Sequence, residues 1–251
     1  MKGWRIFVHS VRLIVNNLGD ALRVSGLLYL VQVASQIYAY TRLPARPMGA
    51  PGLPAEEFTT SGEAGTFGLL FLATVVASLW IAVGWHRFVL EEEYPRGWVP
   101  RWHGGAMLSY LWRSILVFLA VAALMLVAGL IVAMAALISP ALIAIFGLGI
   151  VGLGSYLFFR LGVTLPATAV GHKLSLRESW NATRDRDGAI VVLAFITIAA
   201  TALIQLPNFA GEPRSLLTLV YTLVTGWVAT MVGISVLTTL YGHYVQGRPI
   251  D

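Results

Sequence analysis

Six long apolar segments, separated by shorter polar ones, decide what this chain can fold into. They cover residues 21–41, 66–89, 106–138, 141–163, 189–207 and 216–240. A helix needs about 20 mostly apolar residues to cross the ~30 Å hydrocarbon core of a bilayer. Charged residues make up only 12% of the chain, whereas soluble domains have roughly 25%. We therefore predict an all-α integral membrane protein, a single domain over residues 1–251 with six transmembrane helices.

The positions of the basic residues predict how these segments are oriented. The side that holds both termini carries 14 of the 17 Lys and Arg residues, and the opposite side carries Arg42, Arg46 and Arg214. Because cytoplasmic loops are enriched in Lys and Arg, we expect both termini in the cytoplasm. Fifteen of the basic residues are Arg, a composition associated with GC-rich bacteria, so the expected location is the bacterial inner membrane. Anionic lipid then accounts for the net charge of +5, and we expect no nucleic-acid partner.

Two amphipathic segments precede membrane segments on the side of the termini. Residues 4–18 and 172–187 each place apolar and basic side chains on different faces of a helix, which is typical of helices that lie in the membrane interface. Ser175 and Glu178 form a capping-box pattern, which predicts a helix start at Ser175. The alternative is that these helices pack on the protein itself. The expected lipid or interface contacts are Arg5, Arg12, Arg160, Arg177, Trp4 and Trp180.

The fourth segment contains a glycine-rich pattern, G-x-G-x-x-G-x-G, formed by Gly147, Gly149, Gly152 and Gly154. A dinucleotide-binding fingerprint needs a preceding strand and a βαβ context. This pattern lies inside a membrane segment, so we reject that interpretation. Small residues let membrane helices approach closely, and we predict a helix-packing surface, with a mobile hinge as the alternative.

Polar side chains inside the segments are mostly neutral. Gln32, Gln36 and Gln205 are expected to form hydrogen bonds between helices, and the alternative is a pathway for a neutral substrate. Arg160 lies near the end of the fourth segment. Its long side chain can reach the interface as a topology anchor, or it contacts an anion or a lipid phosphate.

Residues for catalysis or metal binding do not form a recognisable set. The chain has no cysteine, which excludes thiolate chemistry and Cys-based metal sites. Five histidines and the run Glu91, Glu92 and Glu93 map to one membrane edge, but their spacing matches no ligand motif. We therefore predict no catalytic residue, cofactor site or metal site.

The chain also has a weak internal periodicity. A shift of 169 residues aligns Gly19 with Gly188 and Leu22 with Val191. This pattern predicts three repeated hairpins, each introduced by an interfacial segment, with residues 96–113 as the middle copy. The alternative is that unrelated hydrophobic hairpins look alike.

Residues 160–171, followed by 174–184, carry a family resemblance. This stretch resembles uncharacterised multi-pass inner-membrane proteins of proteobacteria, which are distantly similar to the membrane domain of glycerophosphoryl diester phosphodiesterases. The resemblance implies a multi-pass membrane domain. The soluble phosphodiesterase domain of those enzymes has no counterpart in this sequence, so their activity is not implied.

Three functions stay open on the sequence. The first is a non-enzymatic accessory or assembly subunit that packs against lipids or a larger membrane complex, with membrane lipids and other membrane-protein subunits as partners. The second is a transporter or permease-like protein for a neutral or amphiphilic substrate, which a cavity at the membrane midplane favours. The third is an enzyme acting on lipid headgroups at the cytoplasmic face, which a convergent polar pocket favours.

Overall fold

The computed structural model describes residues 2–42, 61–139, 141–184, 188–210 and 215–250. This part of the chain is almost entirely helical and contains no strand, which confirms the predicted all-α class. Arg46, Arg186 and Arg214, which contributed to the predicted orientation, lie outside the described residues. The helices are α1 Lys2–Asn16, α2 Leu18–Arg42, α3 Ser61–Glu91, α4 Gly104–Ile138, α5 Ala141–Gly162, α6 Thr164–Ala169, α7 Leu176–Ala182, α8 Ala189–Ala210 and α9 Leu216–Tyr244.

Five stretches of helix are long and apolar enough to cross a membrane. They are Gly62–Glu91, Gly104–Ala135, Gly149–Ala169, Ala189–Pro207 and Leu216–Tyr244. These lengths and compositions are those of a multi-pass helical membrane protein.

The predicted first segment also forms a helix, α2, but it is not among these five. Polar residues such as Gln32 and Gln36 interrupt its apolar sequence. α2 runs antiparallel to α3, since Gln32 Nε2 donates to Ser78 Oγ at 3.1 Å and Tyr38 Oη donates to the Glu63 carbonyl at 3.3 Å. Six membrane crossings therefore stay a prediction.

Both chain ends lie at the same end of the helical bundle. Gly3 packs so closely on the Ala189 carbonyl, at the start of α8, that a Cβ on Gly3 has no room. Arg248 donates from Nη1 and Nη2 to the carbonyls of Val89 and Leu90, at the end of α3, at 3.1 and 2.8 Å. We call the end of the bundle that holds these residues the terminus-side end.

α1 has three distinct faces. Its buried face, formed by Gly3, Ile6, Ser10 and Ile14, packs against α8 and α9, and Ser10 Oγ donates to Thr239 Oγ1 at 2.9 Å. This face agrees with the alternative that the helix packs on its own protein. A second apolar face stays exposed, with Trp4 at 54% and Val15 at 64% of full exposure. The basic residues Arg5 and Arg12 form an exposed third face.

The capping box at the start of α7 is confirmed. Ser175 Oγ accepts from the Glu178 backbone N–H at 3.2 Å, and the Ser175 backbone N–H donates to Glu178 Oε2 at 2.7 Å. The helix then ends at Ala182, earlier than the predicted amphipathic segment, whose last three residues lie outside the described part.

The predicted three-hairpin repeat is not established by these elements. The α2–α3 hairpin follows α1 and the α8–α9 hairpin follows α7, but the α4–α5 hairpin follows an irregular segment, residues 92–103. The repeat therefore stays a prediction.

Candidate functional site: an apolar cavity between the helices

A cavity of about 700 Å³ lies between α4, α8 and α9, and residues of α1, α5 and α6 complete its walls. Pockets that hold small organic ligands measure roughly 300–1,000 Å³. Lining residues from the principal helices include Val121 on α4, Ile204 on α8 and Gly233 on α9. The cavity is therefore large enough for a ligand, and it is built by helices from different hairpins.

The cavity walls are almost entirely hydrocarbon. Among the described residues that line it none is charged, and five of the 22 carry a hydroxyl group. Thr197, Thr201 and Thr230 donate these hydroxyls to carbonyls within their own helices at 3.0, 2.8 and 2.8 Å. These three hydroxyl protons are thus already engaged by their own helices. The cavity therefore suits an apolar ligand rather than an ion.

The cavity extends from the terminus-side end toward the middle of the bundle. Phe7 of α1 and Tyr110 of α4 lie near that end, and Ile204 lies deeper. Measured along the helix axis at 1.5 Å per residue, Ile204 lies roughly 22 Å from the start of α8. The cavity also opens sideways, since two of its lining residues, Phe118 and Val228, are 69% and 39% exposed. This side would face lipid if the bundle spans a membrane.

A buried polar network lies beside the cavity at Tyr110. His86 is fully buried, with Nδ1 at 2.8 Å from Thr238 Oγ1 and Nε2 at 3.3 Å from Tyr110 Oη. Thr238 donates its hydroxyl to the Ile234 carbonyl at 2.9 Å. With that hydroxyl proton engaged, Thr238 Oγ1 can accept from His86 Nδ1, and Nε2 forms a second hydrogen bond with the Tyr110 hydroxyl. Both nitrogens of His86 thus have partners, at a position that the sequence had grouped with the edge histidines.

Arg160 is buried, with 6% exposure, and its partners among the described residues are neutral. Its Nε donates to Thr183 Oγ1 at 3.2 Å, Nη1 to Tyr156 Oη at 2.6 Å and Nη2 to the Trp180 carbonyl at 2.5 Å. Its Cζ lies 3.8 Å from the centroid of the Trp180 ring. The guanidinium therefore ties α5 to α7, and the expected contact with a lipid phosphate stays a prediction.

The other predicted interface residues fall into two groups. Trp4, Arg5, Arg12 and Arg177 are exposed on α1 and α7, as an interfacial role requires. Trp180 is half-buried and stacks on Arg160. The structure does not bring these residues into one site.

The four glycines of α5 do not form one packed surface. A Cβ on Gly154 would contact the Met125 side chain at 3.3 Å, whereas a Cβ on Gly147, Gly149 or Gly152 would meet nothing within 4 Å. Gly149 and Gly152 instead line an open groove of about 470 Å³ between α5 and α8. Close packing of α5 within the chain is therefore seen at Gly154 alone among the four.

Several polar side chains in the apolar helices link one helix to another. Besides the Gln32–Ser78 bond, Tyr29 Oη donates to the Leu223 carbonyl at 2.9 Å and Trp227 Nε1 donates to Ser25 Oγ at 2.9 Å. The lining of the large cavity does not include Gln32, Gln36 or Gln205. The cavity is thus separate from the glutamine pathway that the sequence offered as an alternative.

An ionic network holds the segment that follows α3. Arg87 bridges Glu91 at 2.6 Å and Glu93 at 2.7 Å, and His103 Nε2 lies 2.8 Å from Glu93 Oε1. Partial burial alone would raise the pKa of Glu93. The hydrogen bonds from His103 and Arg87 outweigh that effect, and the pKa lies below its usual value. In the described residues no group of three or more His, Asp and Glu side chains is placed to hold a metal ion.

No sequence pattern marks the cavity directly, because its walls consist of the same kinds of apolar residue that are exposed on the outside of the bundle. One sequence signal for the cavity is the pair Tyr110 and Ser114, polar residues one helical turn apart on α4 that both line it.

Comparison with protein-family models, with curated proteins and with solved structures finds no match for this chain. The resemblance drawn from residues 160–184 therefore stays an expectation.

Proposed function

We propose that this membrane protein binds the hydrocarbon chain of an amphiphilic molecule in the cavity between α4, α8 and α9, as a lipid-binding or permease-like protein. The observation that carries the proposal is the cavity itself, about 700 Å³ in volume with walls free of charged residues. A polar or ionic substrate would lose its hydration there without gaining partners. A hydrocarbon chain loses nothing comparable.

The position of the cavity supports an amphiphile over a purely apolar ligand. The cavity starts near the terminus-side end, where the basic residues lie, and opens sideways at Phe118. A lipid-like molecule could enter from the bilayer through this opening with its polar group kept near the end of the bundle.

A cavity-filling substitution tests this proposal. A Cβ on Gly233 meets nothing within 4 Å, so Gly233→Leu should fill part of the cavity without a backbone clash. Gly129→Leu on α4 is the matched control, because Gly129 also has open space and does not line the cavity. The purified protein is placed in nanodiscs with a spin-labelled 16-carbon fatty acid, and electron paramagnetic resonance measures the motionally restricted label.

We expect the wild type and Gly129→Leu each to hold about one more motionally restricted fatty acid per protein than Gly233→Leu does. The control accounts for the ordinary shell of lipid around any membrane protein. Equal amounts of restricted label in all three proteins would contradict the proposal.

An accessory role in a larger complex is the second candidate, and the open glycine groove favours it. Gly149 and Gly152 leave space beside α5 that no part of the described chain fills. Small residues of this kind admit a second helix at close range. Because the chain has no cysteine, Gly149→Cys can carry a photoreactive maleimide, with the exposed Leu203→Cys as the control. A discrete cross-linked product at Gly149 alone would favour this role, and equal products at both positions would count against it.

A lipid-headgroup enzyme has less support. His172 Nδ1 lies 3.0 Å from Tyr241 Oη, and Glu178 is engaged by the Ser175 backbone. Both of these acid–base groups thus already have structural partners.

We further propose that the membrane is the bacterial inner membrane, with the terminus-side end in the cytoplasm. The excess of basic residues at the terminus-side end supports the orientation, and the three faces of α1 support a position of this helix in the membrane interface. One face packs on the bundle, an exposed apolar face with Trp4 suits acyl chains, and the face with Arg5 and Arg12 suits headgroups.

A further inference from the structure

A second cavity, of about 630 Å³, lies at the surface between the first turns of α4 and residues 168–178. Its character is unlike that of the apolar cavity, because Arg113, His172, Lys173 and Glu178 all line it. On α4 the two sets of lining residues alternate, with Trp112 and Arg113 in one cavity and Tyr110 and Ser114 in the other. At 100° per residue these sets point to different sides of the helix, so the two cavities are separate.

The two permanent cations of this second cavity are unpaired. Within the described residues, neither Arg113 nor Lys173 has a hydrogen-bond or ion-pair partner. The one carboxylate, that of Glu178, accepts from the Ser175 backbone at 2.7 Å. That bond and the bond with the Ser175 side chain hold the pKa of Glu178 below its usual value. Glu178 thus stays ionised, and the cavity lining holds two basic side chains against this one carboxylate.

The apolar residues beside these cations place the cavity at a membrane boundary. Leu108 and Trp112 line it and are 69% and 62% exposed. α4 has 35 residues, about 52 Å of helix at 1.5 Å per residue, which exceeds a ~30 Å hydrocarbon core. The turn with Arg113 is the polar end of that helix, so it is the part that extends into the headgroup layer.

We infer that this second cavity binds a phosphate group, either that of an anionic phospholipid headgroup or that of a free phosphate compound. Arg and Lys are the side chains that recognise phosphate oxygens through charge-assisted hydrogen bonds. Ser109 adds a hydroxyl to the lining, and the exposed Trp112 and Leu108 offer a surface for acyl chains beside the phosphate.

Native mass spectrometry of the detergent-solubilised full chain tests this inference. The protein is titrated with phosphatidylglycerol, with phosphatidylcholine and with inorganic phosphate. The test variant is Arg113→Gln/Lys173→Gln. The control variant, Arg96→Gln/Arg184→Gln, removes the same charge from exposed residues that do not line this cavity. Arg113→Lys/Lys173→Arg keeps both charges and checks that the site tolerates substitution.

The expected result is that the wild type, the control and the charge-preserving variant bind one equivalent of phosphatidylglycerol more tightly than phosphatidylcholine. The test variant should bind it about 25-fold more weakly, since each basic residue contributes about a factor of five at a lipid surface. Displacement of the lipid by inorganic phosphate would assign a free phosphate site, and lack of displacement would assign a headgroup site. Equal binding by the test and control variants, or no preference for phosphatidylglycerol, would overturn the inference.

Discussion

The guanidinium of Arg160 is buried, and in the part of the chain that the structure describes no carboxylate contacts it. Hydroxyl and carbonyl oxygens and the Trp180 ring satisfy it instead. Sequence position predicted a side chain that reaches the interface, but it could not show that α7 folds over the arginine. The physical reason is that two of the three partners, Thr183 and Trp180, lie 23 and 20 positions later in the chain, a separation that helical periodicity does not reveal.

We predict that Arg160→Met lowers the stability of the folded protein by about 1–3 kcal/mol, because it removes the charge-assisted hydrogen bonds to Tyr156, Thr183 and the Trp180 carbonyl. The measurement is the thermal midpoint in detergent. Arg177→Met, on an exposed part of α7, is the control and should leave the midpoint unchanged. Equal midpoints for both variants would show that the Arg160 contacts do not stabilise the fold.

A pH-dependent contribution to stability is expected from Glu93. Its folded-state pKa lies below its usual value of 4.5, so the ionised form is the one that stabilises the fold. That contribution is complete above the unfolded-state pKa and is lost as the pH falls through the folded-state pKa. The stability difference between wild type and Glu93→Gln should thus be present at pH 7 and vanish in acid. Glu92→Gln, an exposed neighbour, is the control, and a difference that persists in acid would refute the assignment.

At the scale of elements, apolar periodicity and length predicted the helices well. Every predicted membrane segment falls within a helix or coincides with one to within a residue, and the capping box placed the start of α7 correctly. The sequence did not predict which apolar faces pack on protein. In α1 the buried face includes Gly3 and Ser10. These residues have low hydrophobicity, so an apolar pattern does not reveal them, but their small size allows the close approach of α1 to α8 and α9.

We predict that the exposed apolar face of α1 lies in lipid and its polar face in water. Single cysteines in the cysteine-free chain, at Val15 and at Asn16, can carry spin labels. Both positions are exposed, so they form a matched pair. In liposomes the label at Val15 should be more accessible to oxygen, and the label at Asn16 more accessible to a water-soluble nickel complex. Preferential access of nickel to both would place α1 away from the membrane.

At the scale of the whole molecule, the antiparallel pairing of α2 with α3 predicts that α2 also crosses the membrane. Gly19, in the first turn of α2, and Arg42, at its end, are both exposed and should lie on opposite sides. A membrane-impermeant maleimide applied to intact cells should label Arg42→Cys, and should label Gly19→Cys only after permeabilisation. Labelling of both variants from the same side would show that α2 does not cross.

The cavity forms only when the helices assemble into the bundle. The sequence therefore allowed a cavity as one possibility but could not show where it lies. Its lining residues come from α1, α4, α5, α6, α8 and α9, and no single helix shows an unusual pattern. What the sequence did supply was the chemistry, since a lack of charged residues in these segments already disfavoured an ion pathway.

The most direct measurement for the proposed function is photolabelling in liposomes with a phosphatidylcholine that carries a diazirine on its acyl chain. Mass spectrometry then locates the label. We predict label on Val121 and Ile204, which line the cavity, and its loss from both in Gly233→Leu, whereas label on the exposed Leu130 persists. Label confined to outward-facing residues such as Leu130, with no change in Gly233→Leu, would contradict an acyl chain in the cavity.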